Sequence, residues 1–449
     1  MTAPIQAPAP SANFPGPVSA AMIAELNRYV IVDVHPFALD LARCEGMWLA
    51  TVEGDRIFDW GGYYAAKLLG HNHPGLSEPA YVQRLVCAAN NKVANPDFLT
   101  PECLDYYRTI HRLAPRCMRN PQLEVYTVNS GAEAIENMMK YFINLHHQTR
   151  GGRMQPGEKC RFIYFQQAFH GRTVFALNVT QTLDPVATKD FHGLVAGNVQ
   201  LPFPELNTSE SPAVNRARTN EALHTVDEFL RQHRNEVVGI ITEPIQGAGG
   251  HRAAEPEFFQ GLSELTRRHE VYLGFDEVQT AGGPTGDMFM VDQLQLPHPP
   301  QAVATAKKFG CGVVYMLHPM LDKGVLDSTW GGTLADMVRF VQEMKIVERE
   351  GLVSAAQRHG ELLAARLRGL AAKYPTLVYN VRGTGLYQGF SLATPQLRNQ
   401  LEELALREER LLLLPAGKNS IRTRPNLSVT AAEIELFSAM LDRCLQRLA

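Results

Sequence analysis

Five short stretches of this 449-residue chain could do chemistry together, because each follows an apolar, strand-like run. Asn129, Ser130, Gly131 and Ala132 come after "LEVYTV", and "QQAFHGR", which holds Phe169 and Arg172, comes after "CRFIYF". Glu243 leads "EPIQGAGG" after "VVGIIT", Asp276 leads "DEVQTAGG" with Val278 and Gln279 after "VYLGF", and Lys307 and Lys308 follow "AVAT". Singly, each has an ordinary use: Ser-Gly caps a helix, Asp closes a strand, a lysine pair sits in solvent, Phe fills a core. Together they fit one ligand. A helix N-terminus with a hydroxyl suits a phosphate. An aromatic face suits a flat ring, and a carboxylate beside a ring nitrogen holds the proton there. A desolvated lysine, with its pKa lowered, can attack an aldehyde to form a Schiff base. Phosphate, pyridine and aldehyde together describe pyridoxal 5′-phosphate. Glu243 belongs to the same reading, since a carboxylate buried without a partner costs several kcal/mol; its place is expected near the ring edge and Gln279, with the glycines letting the loop pass close to a substrate.

The elements that must position these residues read as an α/β fold. Apolar runs rich in β-branched residues alternate with helical stretches such as "GAEAIENMMKYFINLHH" and "EFFQGLSELTRRH" from about residue 75 to 320, the pattern of a mostly parallel sheet covered on both faces. In such a sheet ligands bind beyond the carboxyl ends of the strands. Before this region, "MWLATVEGDRIFDW" suggests a small antiparallel element turning at Gly54-Asp55. After it come the helical "LADMVRFVQEMKIVEREG" and "VSAAQRHGELLAARLRGLAAKY", the strand-like "VYNVRGTGLYQGFSL" and "RLLLLPAG", and a final amphipathic helix. The expected division is 1–74 for a flexible tail and the first part of a small domain, 75–329 for a large cofactor-binding domain, and 330–449 for a smaller α+β domain.

Composition narrows the alternatives. A formal net charge of -3 gives no broad attraction to nucleic acid or acidic membrane, and no apolar run is long enough to span a bilayer. The seven cysteines are scattered and never spaced as CxxC, which suits reduced thiols in a cytoplasmic protein and no zinc site. His71 and His73 in "GHNHP" read as a polar turn, not as metal ligands. The start, "MTAPIQAPAPSANFPGP", has neither the basic nor the apolar region of a signal peptide. No GxGxxG opens a βαβ unit and no GxxxxGK[ST] occurs, which argues against dinucleotide and P-loop chemistry.

In order and approximate spacing, "SGAEAIEN", "FHGRT", "EPIQG", "FDEVQT", "AKK" and "STWGG" resemble the motifs of the class III (ω-amino acid) aminotransferases of fold type I, from "GHNHP" to "IRTRPNL". Within the family, "STWGG" followed by "LADMVR", the "KK" pair and "PEFF" look most like L-lysine 6-aminotransferase. The resemblance implies that Lys307 is the Schiff-base lysine and proton shuttle, with Lys308 as the fallback. It implies that Asp276 holds the pyridinium proton, Gln279 reaches the phenolic oxygen, and Val278 and Phe169 sandwich the ring. Ser130, Gly131 and Ala132 would bind the phosphate, with Thr329 supplied by the other subunit of a homodimer. Arg172 and Tyr64 match positions that hold the distant α-carboxylate of an ornithine- or lysine-type donor. Arg422 matches the arginine that grips glutamate or 2-oxoglutarate.

Three departures qualify that resemblance. Ala248 stands where the family's EPIQGE segment carries a second glutamate to pair with the arginine matching Arg422. Thr333 replaces an Asn after "GG", and the proline-rich "LPHPPQ" lengthens the stretch before the lysines. The expected reaction is transfer of the terminal amine of a diamino acid, L-lysine first, to 2-oxoglutarate. Ornithine or other ω-amine and amine:pyruvate transamination, an aminomutase, and a non-catalytic protein that binds pyridoxal phosphate are the alternatives.

Overall fold

The computed structural model describes residues 14–149, 160–181, 197–233, 235–320, 322 and 324–449; most of the Ala/Pro-rich N-terminal stretch lies outside them. Seven strands form the central sheet: β1 (Glu124–Val128), β2 (Arg161–Phe165), β3 (Val199–Leu201), β4 (Val237–Thr242), β5 (Tyr272–Asp276), β6 (Ala302–Thr305) and β7 (Gly312–Met316). Their spatial order is β1-β7-β6-β5-β4-β2-β3. All neighbours run parallel except β7, which is antiparallel to both β6 and β1. Five of these strands are those read from the sequence. The short β3 and the antiparallel β7 were not, because three residues and a run entered straight from a lysine turn carry little periodicity.

Side-chain alternation divides the core into two layers. Leu273 and Phe275 of β5, Val303 of β6, and Val313 and Tyr315 of β7 join one buried cluster; Ala302 and Ala304 of β6 and Val314 and Met316 of β7 join the other. The helix Gly131–Thr149 covers the second layer with Ile135, Met138, Met139 and Phe142. Two strand glycines let it sit close. A Cβ on Gly274 would lie 2.6 Å from the Met138 sulfur, and one on Gly239 would lie 2.8 Å from the Phe142 ring. The helix Pro256–His269 buries Phe258, Phe259 and Leu262 on the other face. Burying each such side chain is worth about 1.5–3 kcal/mol.

Segments from the two ends of the chain form two smaller sheets. Trp48–Ala50 pairs antiparallel with Arg56–Asp59 around the Gly54 turn, in the register Trp48 to Phe58. Leu411–Leu412 adds to Arg56–Asp59 in parallel, so N- and C-terminal segments share one sheet. The run "RLLLLPAG" thus breaks in two, its second half Leu414–Ala416 joining Val378–Thr384, Tyr387–Leu392 and Ser420–Arg422 in a four-stranded sheet. Helix Leu334–Arg349 packs on Pro79–Asn90 and Pro101–Arg112, and Leu352–Lys373 packs on the closing helix Ala431–Leu448.

Candidate active site

A cavity of about 390 Å³ opens where β1, β2, β4, β5 and β6 end, and its wall is formed by Ser130, Gly131, Ala132, Phe169, Arg172, Glu243, Asp276, Val278, Gln279 and Lys307, among others. Residues far apart in sequence converge there because parallel strands deliver all their carboxyl ends to one edge.

At the end of β1, Ser130 caps the helix Gly131–Thr149: its Oγ accepts from the Glu133 N–H at 3.2 Å, while Glu133 Oε2 accepts from the Asn129 N–H at 3.1 Å. Gly131 and Ala132 form the first turn, whose N–H groups have no intrahelical acceptor, and both line the cavity. A Cβ on Gly131 would lie 3.0 Å from both Val278 methyls. Glycine therefore brings the helix terminus against the residue expected to lie on one face of a ring.

At the end of β5, Asp276 is buried, with Oδ1 accepting from the Val278 N–H at 3.0 Å and Oδ2 2.8 Å from His170 Nδ1. His170 was not singled out in the sequence, although it stands between Phe169 and Gly171; its Nε2 is buried without a hydrogen-bond partner. Glu243 is also buried, but it is not left for a ligand. Oε1 accepts from the Phe169 N–H at 3.0 Å and Oε2 from the Gly247 N–H at 2.9 Å, so this side chain clamps two loops together. Burial pushes its carboxyl up to about 7 against the opposing effects of His170 and the two backbone donors. The glycines of "EPIQGAGG" serve packing in the same way. A Cβ on Gly247 would come within 2.5 Å of the Gln279 amide oxygen, and one on Gly249 within 2.1 Å of the Gln167 carbonyl.

The two lysines part company. Lys307 adopts φ 52°, a left-handed conformation that costs a non-glycine residue energy, and lies on the cavity wall. Its Nζ donates to the Tyr64 carbonyl at 2.7 Å. Burial first, and the positive charges of Arg422 and Arg424 next, bring its ammonium down to about 7. Lys308 donates instead to the carbonyls of Ala65 at 3.0 Å and Gln279 at 2.7 Å, behind the wall. Lys307 and not Lys308 lines the cavity, with the "LPHPPQ" stretch lying between Asp276 and the pair.

Three expected residues lie off this wall. Tyr64 meets the site through its carbonyl, while its side chain is 57% exposed beside the left-handed Tyr63 and Ala65. Thr329 is exposed and does not line the cavity within one chain. Arg422, at the end of Ser420–Arg422, is buried, with Nη1 3.5 Å from Gln279 Oε1 and Nε without a partner. Burial lowers its pKa. Among the described residues no carboxylate forms an ion pair with it. The Ala248 carbonyl is occupied by the Gly417 N–H at 3.0 Å.

A helix terminus with free N–H groups, a buried Asp held by a histidine, and a lysine amine share one cavity with an aromatic ring. That donor set fits pyridoxal 5′-phosphate in polarity, and the volume lies in the range of small-ligand sites. The sequence profile of the class III aminotransferases matches residues 29–445. The chain belongs to this family. The L-lysine-epsilon aminotransferase of Mycobacterium bovis is 34% identical over 94% of both chains, and the acetylornithine aminotransferase of Gloeobacter violaceus is 32% identical over 94% of this chain and 97% of its own. The structure of lysine aminotransferase from M. tuberculosis in the internal aldimine form superposes with a TM-score of 0.89 at 32% identity, covering 96% of this chain and all of the other. This aminotransferase is thus a pyridoxal-phosphate enzyme of fold type I.

Proposed function

We propose that this aminotransferase moves the ε-amino group of L-lysine to 2-oxoglutarate, yielding the semialdehyde and L-glutamate. The observation that carries the reading is the pair of arginines. Arg172 stands on the cavity wall, and Arg422 is buried within reach of Gln279 with no carboxylate ion-paired to it among the described residues. Two carboxylate receptors suit a donor that keeps its α-carboxylate far from the reacting amine, and an acceptor with a carboxylate at each end. The names of the relatives in M. bovis and M. tuberculosis support the same donor.

When bound, pyridoxal 5′-phosphate supplies an electrophilic carbon and an electron sink. Gly131 and Ala132 would offer N–H groups to its phosphate, Asp276 would hold the proton on its ring nitrogen, and Phe169 and Val278 would face its ring. His170 fixes the Asp276 carboxylate through Nδ1. Lys307, with a pKa near 7, would take the proton from the donor carbon that bears the amine in one half-reaction and deliver one to the carbonyl carbon of the acceptor in the other. Glu243 keeps the Phe169 and Gly247 loops in register at the cavity.

The enzyme works as a cytoplasmic homodimer in this reading, with Thr329 completing the partner's phosphate site. Supporting this, Val18, Met22, Tyr29 and Ile31 near the N-terminus and Phe98 and Leu99 are large apolar side chains left exposed on a single chain. All seven cysteines are free thiols.

The test is a set of spectrophotometric half-reactions with L-lysine, L-ornithine, putrescine, 4-aminobutyrate and L-glutamate, followed by 2-oxoglutarate or pyruvate. L-lysine is expected to convert the cofactor fastest among the amines, and 2-oxoglutarate to restore it. Faster reaction with putrescine would refute the Arg172 clamp; restoration by pyruvate alone would favour an amine:pyruvate transaminase, a reading that the small Ala248 leaves open.

A further inference from the structure

Tyr387 lies wholly buried in the strand Tyr387–Leu392, outside the motifs that carry the family resemblance. The Arg424 guanidinium sits 3.3 Å from the centroid of its ring, and the His251 ring lies 4.9 Å away. Its hydroxyl donates to Gln279 Oε1 at 3.0 Å. Arg422 Nη1 approaches the same oxygen at 3.5 Å. A guanidinium has no acceptor to offer, so Arg422 requires the amide oxygen on that side, and the Tyr387 hydroxyl, which can donate or accept, then donates to the same oxygen. The amide nitrogen then points the other way. Among the described residues it has no acceptor, and Gln279 lines the cavity.

The rest of Gln279 is fixed independently. Its backbone carbonyl accepts from Lys308 Nζ at 2.7 Å, and its amide lies over Gly247, where any Cβ would come within 2.5 Å of Oε1. Rotation about the last side-chain bond is the freedom that remains. The 3.5 Å contact with Arg422 is too long to hold it firmly. Arg422 sets which end of the amide faces the cavity, and the Tyr387 hydroxyl is the short contact that anchors it there.

We propose that Tyr387 is a positioning residue of this aminotransferase: its hydroxyl locks the Gln279 amide with oxygen toward Arg422 and both N–H donors toward the bound cofactor's acceptor oxygen. The inference rests on the cofactor placement proposed above but not on lysine as donor. Tyr387 does not line the cavity, and it acts through one rotatable bond of Gln279. Arg424 and His251 hold the ring, so removing the hydroxyl leaves its seat in place.

The experiment compares holoenzyme with Tyr387→Phe, Gln279→Ala and both together, titrating the cofactor's visible absorbance against pH with no substrate present. Losing a hydrogen bond to the deprotonated chromophore favours its protonated form, so Tyr387→Phe should raise the midpoint by about 0.5–1 pH unit. Gln279→Ala should raise it at least as much, and the double variant should move it no further than Gln279→Ala alone. The apoenzyme of Tyr387→Phe should also bind pyridoxal phosphate several-fold more weakly by fluorescence titration. A wild-type midpoint in Tyr387→Phe, or shifts that add in the double variant, would overturn the proposal. Because no amine donor enters, an enzyme that prefers an amine other than lysine leaves this test intact.

Discussion

The lowered pKa of Lys307 is the feature of the site most directly open to measurement. At its ordinary value of 10.5 a lysine is neutral at pH 7 in roughly 1 molecule in 3,000; at about 7 it is neutral in about half. The amine that must act as nucleophile and base is thereby made available near neutrality. Burial is the largest cause and Arg422 the next, so Arg422→Met should move the midpoint upward, by about one unit. Competitive labelling of the apoenzyme with isotopic acetic anhydride, read by mass spectrometry on the Lys307 peptide, would measure both midpoints. The linked stability has a definite sign. Between about 7 and 10.5 the unfolded chain holds a proton on this residue that the folded chain has released, so Lys307 makes the apoenzyme more stable as pH rises through that window and least stable below it. A labelling midpoint near 10 in the wild type, or one that Arg422→Met leaves in place, would refute the electrostatic account.

Ala248→Glu should place a carboxylate within the acceptor arginine's environment and weaken 2-oxoglutarate about tenfold, equivalent to about 1.4 kcal/mol; unchanged donor preference and acceptor affinity in half-reactions would remove the argument from this position. Glu243→Ala leaves the Phe169 and Gly247 N–H groups unpaired at about 1–3 kcal/mol each, which chemical denaturation of the apoenzyme would register; wild-type stability would mean that Glu243 is not a clamp. Gly247→Ala drives a methyl against the Gln279 amide and should lower pyridoxal phosphate affinity. By contrast, Gly369→Ala in the helix Leu352–Lys373, where a Cβ meets nothing within 4 Å, should stabilise by about 0.5–1 kcal/mol with unchanged affinity.

Much of the fold was legible because periodicity and burial coincide. The runs "VVGIIT", "VYLGF" and "AVAT" are fully or almost fully buried parallel strands, and their continuous apolar character marks them as such. Convergence of Ser130, Asp276 and Lys307 was legible too, since it follows from topology: whatever ends a parallel strand arrives at one edge. Some elements could not be read. Leu411–Leu412 and Leu414–Ala416 form one apolar run but join different sheets, a choice made by long-range pairing that leaves no local mark.

Sequence alone determined the class of chemistry, because a phosphate cradle, a pyridinium acid partner and an amine nucleophile require particular residue types at strand ends. Tertiary structure decided how each side chain is used. It turned Lys307 toward the cavity and Lys308 away, spent the Glu243 carboxylate on two backbone N–H groups, and brought His170 onto Asp276 and Tyr387 onto Gln279. Hydrogen bonds between residues as much as 243 positions apart have no periodicity to reveal them. They exist only once packing has brought the loops together and burial has made an unpaired polar group costly.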